Sequence, residues 1–197
     1  MDRRQYFKLM SAAALAAAAA PLAHAAGKRR FRPAICAYSF RNQLKAGTMK
    51  YADIIRMVAD LGADGIDLTA YWFADTNDDT LFALKTLAYR SAVDIYTIGV
   101  RVRLAQPTAE LQAAELESLS KWLDVAEKLG ASHIRIFGGA VPKGATEDQA
   151  VAWAVETLKR ATEVAGKKGI ILGVEDDGGI TTNADRTIEI VKKAGSP

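Results

Sequence analysis

The regular alternation of short apolar segments with amphipathic helical patterns between residues 34 and 194 is the strongest constraint on the fold. Short strands separated by long helices predict a parallel sheet, because parallel strands need a long crossover between them. An open doubly wound sheet and a (β/α) barrel both meet that requirement. The predicted strands are Ala34–Ser39, Gly65–Thr69, Asp94–Gly99, His133–Phe137 and Ile170–Glu175, and the predicted helices are residues 49–61, 79–92, 108–129, 147–168 and 182–194.

Polar residues on one face of these strands favour the barrel. Central strands of doubly wound sheets are usually continuous apolar runs, whereas polar and aromatic groups near the C-terminal strand ends are typical of a TIM-barrel mouth. The first strand is also followed by neither a Gly-x-Gly-x-x-Gly loop nor a Walker-type lysine loop. We therefore predict an α/β fold of the TIM-type (β/α) barrel class, with about five of the eight βα units and parallel strands. The polar face carries Tyr38, Asp67, Thr97, Arg135 and Glu175.

Glycines and capping residues predict where the helices begin and end. Four glycines stand where helices should end in a left-handed conformation. Thr146 to Gln149 fits a capping box, and Thr182 to Asp185 is a looser version of it. The four glycines are Gly62, Gly130, Gly169 and Gly195.

The N-terminal segment is predicted to be a signal peptide and not part of the fold. Residues 2–8 resemble a twin-arginine export motif, followed by an alanine-rich run over residues 9–20 and the small-x-small site Ala23-His24-Ala25. The expected mature domain is 26–197, exported to the periplasm after cleavage near Ala25. The apolar run of 12 residues is shorter than the roughly 20 that span a bilayer, so no stable membrane anchor is expected.

The charge balance argues against a nucleic-acid partner. The whole chain has 26 Lys and Arg against 23 Asp and Glu, and the predicted signal removes three basic residues and one acidic residue. A nearly neutral mature domain lacks the clustered basic excess that DNA or RNA binding requires. The remaining basic cluster at residues 28–30 is interpreted as a solvated leader.

The single cysteine and the two histidines are not predicted to be catalytic residues or metal ligands. One cysteine, Cys36, excludes an internal disulfide, and its apolar surroundings predict a buried small side chain with no nucleophilic role. His24 belongs to the signal. His133 begins the fourth strand, at the end opposite a barrel's active mouth, and is interpreted as structural or solvated and not as a ligand.

The segment from Ile170 to Gly179 carries the strongest functional signal. An apolar strand ends at Glu175 and runs into Asp176, Asp177 and a glycine pair. Alternation places Glu175 on the face opposite Leu172, so its carboxylate points into an interior or a cleft. A carboxylate there requires a cation, a metal or a hydrogen-bond network. We therefore predict that Glu175 is a catalytic residue.

Four segments together resemble a known family. They are Tyr38-Ser39-Phe40-Arg41, Gly65-Ile66-Asp67-Leu68, Ile134-Arg135-Ile136-Phe137-Gly138-Gly139 and Gly173-Val174-Glu175-Asp176-Asp177-Gly178-Gly179. Their order and spacing resemble the sugar phosphate isomerase/epimerase family, which is the xylose-isomerase-like TIM-barrel group. The family's last motif often reads Glu-Asn-His-Gly-Gly, and the two aspartates here depart from it.

The resemblance implies a divalent metal, Mn, Mg or Zn, held at the barrel mouth by ligands from the fifth to eighth strands. Of these ligands only Glu175 maps onto this sequence. The chain is therefore expected to be a C-terminally truncated barrel, whose open sheet edges would favour poor solubility or a homo-oligomer.

The implied activity is an isomerase or epimerase that moves a proton next to the carbonyl of a sugar or sugar derivative, through an enediolate. Glu175 would be the metal ligand and the catalytic carboxylate. Arg135 would either orient the substrate or neutralise Asp67 or Glu175, and both interpretations stay open. The candidate substrate-binding residues are Tyr38, Phe40, Asp67, Tyr71, Trp72 and Arg135.

Other functions share this scaffold. A lyase or dehydratase and a non-catalytic exported sugar-binding barrel are both consistent with the sequence. The apurinic endonuclease branch of the superfamily is disfavoured, because it would need a basic groove and more histidine ligands. Tyr71, Trp72 and Phe73 have an alternative role in loop packing, and Trp122 and Trp153 are predicted to pack between helices and core.

Overall fold

A computed structural model of the protein describes residues 31–195. From Pro33 onward these residues form one compact unit. The predicted signal peptide at 1–25, its cleavage site and the basic cluster at 28–30 lie outside the described residues.

Five strands alternate with longer helices, as the sequence predicts. The strands are β1 (Ala34–Cys36), β2 (Gly65–Thr69), β3 (Asp94–Arg103), β4 (His133–Phe137) and β5 (Ile171–Glu175). The α-helices are α1 (Arg41–Ala46), α2 (Tyr51–Asp60), α3 (Asp78–Arg90), α4 (Ala109–Leu129), α5 (Glu147–Gly166) and α6 (Ala184–Ala194). Short 3₁₀ turns cover Ala37–Phe40, Ala70–Trp72 and Gly179–Thr181.

The strands form one parallel sheet in the order β1-β2-β3-β4-β5. A doubly wound sheet would reverse its strand order at a switch point, whereas this order follows the chain without a reversal. The helices from α2 to α6 also contact one another in chain order. Both features confirm the predicted barrel-type α/β fold.

Alternation along the strands separates the core from the polar face. In β2, Ile66 and Leu68 are completely buried and alternate with Asp67 and Thr69. In β4, Ile134 and Ile136 are likewise buried and alternate with Arg135. The apolar residues pack with the helices in one hydrophobic core. The residues that alternate with them, Asp67, Thr69 and Arg135, form the floor of a cleft. Trp122 and Trp153 are partly buried against this core, as predicted.

Three strands differ in length from the prediction, the fifth only in that it begins at Ile171 instead of Ile170. The first ends at Cys36 instead of Ser39, and a 3₁₀ turn and the short helix α1, which was not predicted, follow it. The third continues beyond Gly99 to Arg103. In that extension Val100 and Val102 are buried and alternate with exposed arginines, which is the pattern of a half-buried strand.

The helix caps largely agree with the sequence. All four predicted glycines have left-handed φ values, from 66° at Gly169 to 82° at Gly130, and Thr146 forms the expected capping box with Gln149. The last helix is the exception, since Asn183 and not Thr182 caps it and accepts from the N–H of Asp185. Within residues 31–195 no helix is long and apolar enough to cross a membrane.

Candidate functional site

A cleft of about 460 Å³ opens over the polar face of the sheet. This volume is within the range of roughly 300–1,000 Å³ that is typical of small-molecule sites. Every strand contributes to it near its C-terminal end, which is where parallel barrels place their active sites. The lining residues are Cys36, Tyr38, Asp67, Thr69, Tyr71, Gly99, Arg101, Arg135, Phe137, Glu175 and Asp177.

Arg135 connects the two predicted carboxylates at the centre of this cleft. Its Nη1 donates a hydrogen bond to Oε2 of Glu175, and its Nη2 donates to Oδ2 of Asp67 at 3.4 Å. The arginine therefore neutralises both acids. Of the two interpretations of Arg135 left open by the sequence, the structure supports charge pairing.

A glycine on the neighbouring strand β3 makes room for this arginine. Gly99 of β3 and Gly173 of β5 are in register with Arg135 of β4. A Cβ at residue 99 would lie 2.5 Å from Nη2 of Arg135, so the guanidinium occupies the space that a side chain would take. The missing side chain at Gly99 lets the Arg135 side chain cross the sheet floor and reach Asp67 on β2, whereas a Cβ at Gly173 would meet nothing within 4 Å.

Asp67 is the most deeply placed of the charged groups. It is 6% exposed, and burial raises the pKa of its carboxyl above the ordinary value, although Arg135 opposes that shift. Among the described residues its Oδ1 atom has no hydrogen-bond partner. A buried acceptor without a partner is costly, so Asp67 holds a proton more readily than a surface aspartate.

Burial and neighbouring charges act on the pKa of Arg135 in opposite directions. Burial alone would lower the pKa of Arg135, but the negative charges of Asp67 and Glu175 and the hydrogen bond to Glu175 raise it above its usual value. The guanidinium therefore stays charged.

Cys36 corrects a prediction. It is only half-buried and lines the cleft beside Asp67, whereas the sequence predicted a buried core position. Burial, reinforced by the negative charge of Asp67, raises the pKa of the thiol. A protonated thiol is a poor nucleophile; the predicted core location of Cys36 is wrong, and its lack of a nucleophilic role stays a prediction.

Two glycine pairs fix the loops that follow β4 and β5. The N–H of Ile180 donates to the carbonyl of Gly139 at 3.0 Å. Gly179 has a φ of 58°, and a Cβ there would overlap the carbonyl of Gly139. Close approach of the two loops therefore explains Gly179, the second of the two glycines after Glu175.

The predicted aromatic wall is only partly formed. Tyr38 and Tyr71 line the cleft. Trp72 contacts both tyrosines, with ring centroids 5.6 Å apart in each pair, but is itself packed against the core, so it supports the wall from behind. Phe40 is also packed against the core and does not line the cleft, because the 3₁₀ turn after Cys36 removes it from the strand face.

Sequence reasoning missed Arg101, Asp177 and Thr69 as cleft residues. Arg101 was missed because the third strand was predicted to end at Gly99. Alternation from Gly99 would have placed Arg101 on the cleft face. Asp177 follows Glu175 by two residues, so the same rule could have found it.

Residues 55–197 match the family model described as xylose isomerase-like TIM barrel. The chain belongs to the xylose isomerase-like TIM barrel family. The match begins in α2 and covers β2 to β5 together with every charged cleft residue described above.

Solved structures share the fold of this family member at low sequence identity. The probable 3-DHS dehydratase AsbF from Bacillus anthracis has a TM-score of 0.70 and 17% identity, over 85% of this chain and 60% of that one. D-psicose 3-epimerase from Clostridium cellulolyticum has a TM-score of 0.68 and 18% identity, over 83% and 60%. A sugar phosphate isomerase/epimerase from Parabacteroides distasonis has a TM-score of 0.57 and 20% identity, over 77% and 53%.

The chain thus spans about 60% of the length of the first two of these structures. At these identities the likeness concerns the fold alone. No curated protein matches the chain.

The cleft of this family member does not by itself offer a complete metal site. Within residues 31–195 no group of three or more His, Cys, Asp and Glu side chains could hold a metal ion, and a catalytic metal needs several converging ligands. Glu175 is paired with Arg135. His133 lies at the opposite end of β4, where its Nδ1 is 2.7 Å from Oγ of Ser132. Any divalent metal would need donors from outside the described residues.

Proposed function

We propose that this cleft binds a sugar or sugar derivative and that Glu175 transfers a proton next to its carbonyl group, as in an isomerase or epimerase. The observation that carries the proposal is the position of the Glu175 carboxylate. It stands at the C-terminal end of β5, faces the cleft and is oriented by Arg135. Hydroxyl-rich substrates suit a cleft lined by charged groups and two tyrosines.

The residues of the cleft have different roles in this proposal. Arg135 holds Glu175 in one orientation and, as a permanent cation, can stabilise negative charge that develops on a substrate oxygen. Asp67, which retains its proton more readily than an ordinary aspartate, can supply or hold a second proton in the floor. Tyr38 and Tyr71 offer ring faces and hydroxyl groups to the sugar.

A divalent metal, Mn, Mg or Zn, remains part of the proposal for the whole protein and would polarise the carbonyl and a neighbouring hydroxyl when bound. Because residues 31–195 do not form its site, none of the steps above depends on it.

Non-catalytic sugar binding is the second candidate, and the Arg135–Glu175 ion pair favours it. One oxygen of the Glu175 carboxylate already accepts a hydrogen bond from this guanidinium, which leaves fewer lone pairs to receive a substrate proton. Dehydratase chemistry on the same scaffold is supported by the structural likeness to the probable 3-DHS dehydratase.

A product analysis separates these alternatives. The protein would be incubated with a set of ketoses and aldoses, with and without Mn²⁺ or Mg²⁺, and the products identified by NMR. An epimer or isomer that forms with wild type and not with Glu175→Gln supports the proposal. An unsaturated product indicates a dehydratase, and binding without conversion indicates a sugar-binding protein. Arg103→Gln serves as the control, since Arg103 pairs with Glu115 outside the cleft.

A further inference from the structure

Arg101 lines the cleft and, unlike Arg135, has no acidic partner among the described residues. It follows Gly99 by two residues on β3 and lines the cleft. Among residues 31–195 no carboxylate lies within 4.0 Å of its guanidinium nitrogens, and it is exposed. Arg135, by contrast, is paired with two carboxylates.

Tyr71 contacts the Arg101 side chain. The guanidinium carbon lies 5.0 Å from the centroid of the Tyr71 ring, within the distance of a cation–π contact. Such stacking orients a guanidinium while leaving its N–H groups free to donate. Arginine on an aromatic face is well suited to bidentate binding of a carboxylate or a phosphate.

Arg103 provides a comparison for the stacked Arg101 side chain. It is two residues further along the same strand and also has an exposed side chain, but its Nε lies 3.3 Å from Oε1 of Glu115. Its charge is therefore already compensated. Of these two arginines, only Arg101 both lines the cleft and lacks a carboxylate partner within residues 31–195.

We propose that Arg101 binds an anionic group, a carboxylate or a phosphate, on the sugar derivative that occupies the cleft. This inference rests on the proposed carbohydrate function and narrows it from sugars in general to acidic ones. Glu175 and Arg135 meet the reacting part of the substrate, and Arg101 holds its charged end against Tyr71.

Calorimetric titration with three probes that differ only at carbon 6 tests the assignment. The probes are D-glucose, D-glucuronate and D-glucose 6-phosphate, which carry a hydroxyl, a carboxylate and a phosphate. We expect one or both anions to bind about ten-fold more tightly than glucose, and whichever anion shows the preference identifies the group. Arg101→Gln should bring the ratio of anion to glucose affinity close to one, and Arg103→Gln should leave that ratio unchanged.

Three outcomes would overturn the inference. Equal affinity of wild type for all three probes would show that the cleft does not select charge. A preference for anions that persists in Arg101→Gln would assign it to another residue. If none of the probes binds, the proposed carbohydrate function fails as well, whereas glucose binding without anion preference contradicts only the role of Arg101.

Discussion

Gly99 and Arg135 face each other across β3 and β4, and the guanidinium of the arginine lies where a side chain at residue 99 would be. A Cβ there would be 2.5 Å from Nη2 and 3.0 Å from Cζ of Arg135. Because residue 99 has no side chain, the Arg135 side chain can cross the floor of the cleft. The positions of the Asp67 and Glu175 carboxylates depend on that crossing, because Arg135 hydrogen-bonds to each of them.

Gly99→Ala should displace the Arg135 guanidinium with little loss of overall stability. The atoms in contact are the flexible end of a side chain, so we expect the free energy of unfolding to change by less than about 1 kcal/mol. Loss of the 3.4 Å contact to Asp67 should raise the pKa of that carboxyl further. Gly173→Ala is the matched control, because a Cβ there meets nothing within 4 Å. Equal effects of the two substitutions on the Asp67 titration would contradict this account.

The pKa of Asp67 should move in opposite directions in two variants. Arg135 lowers it and Glu175 raises it by their charges. Arg135→Gln should therefore shift the titration to higher pH, and Glu175→Gln should shift it to lower pH. Carbon-13 NMR of the Asp67 carboxyl measures both shifts. Movement in the same direction would show that the two groups do not act on Asp67 through charge.

Asp67 should also make stability depend on pH. Its folded pKa is raised, so the native protein keeps a proton that the unfolded chain releases. Its stabilising contribution is complete below the unfolded pKa of about 3.9 and is lost as the pH rises through the folded pKa. In urea titrations over this interval, Asp67→Asn should show a smaller decline in stability with pH than wild type. An unchanged decline would contradict the raised pKa.

The two glycines after Glu175 should differ in their tolerance of alanine. Both Gly178 and Gly179 have positive φ values, 81° and 58°, and the ψ of −173° at Gly178 lies in a region essentially restricted to glycine, so each alanine variant incurs backbone strain of about 1–3 kcal/mol. Only Gly179 also lies against the Gly139 carbonyl, where a Cβ would overlap backbone atoms. Gly179→Ala should therefore be the less stable of the two variants. Chemical denaturation gives the comparison, and equal losses would show that the two loops do not approach closely.

Parts of this structure could be predicted from local sequence patterns. The bounds of β2 and β4 agree to the residue, because their apolar residues alternate clearly with polar ones. The Tyr38-Ser39-Phe40 segment has a similar pattern but forms a 3₁₀ turn, which displaced Phe40 from the cleft. No local pattern distinguishes an alternating strand end from a turn that packs one aromatic into the core.

Local sequence patterns do not predict which charged side chains pair with one another in the cleft. Glu175 was predicted from its position at a strand end, but Arg135 could be assigned to Asp67, Glu175 or substrate with equal reason. The answer depends on the register of β2, β3, β4 and β5, and on the space left by Gly99. Both are tertiary features. Arg101 was missed for a simpler reason, since a glycine within a strand resembles a strand end.

Solvent deuterium exchange tests the central claim about Glu175 most directly. A sugar converted by the protein would be incubated with it in D₂O, and NMR would follow deuterium entering the carbon next to the carbonyl. The account predicts exchange with wild type, a loss of about 100-fold or more in Glu175→Gln, and near-normal exchange in Arg103→Gln. Unchanged exchange in Glu175→Gln would contradict the account, because another group would then be moving the proton.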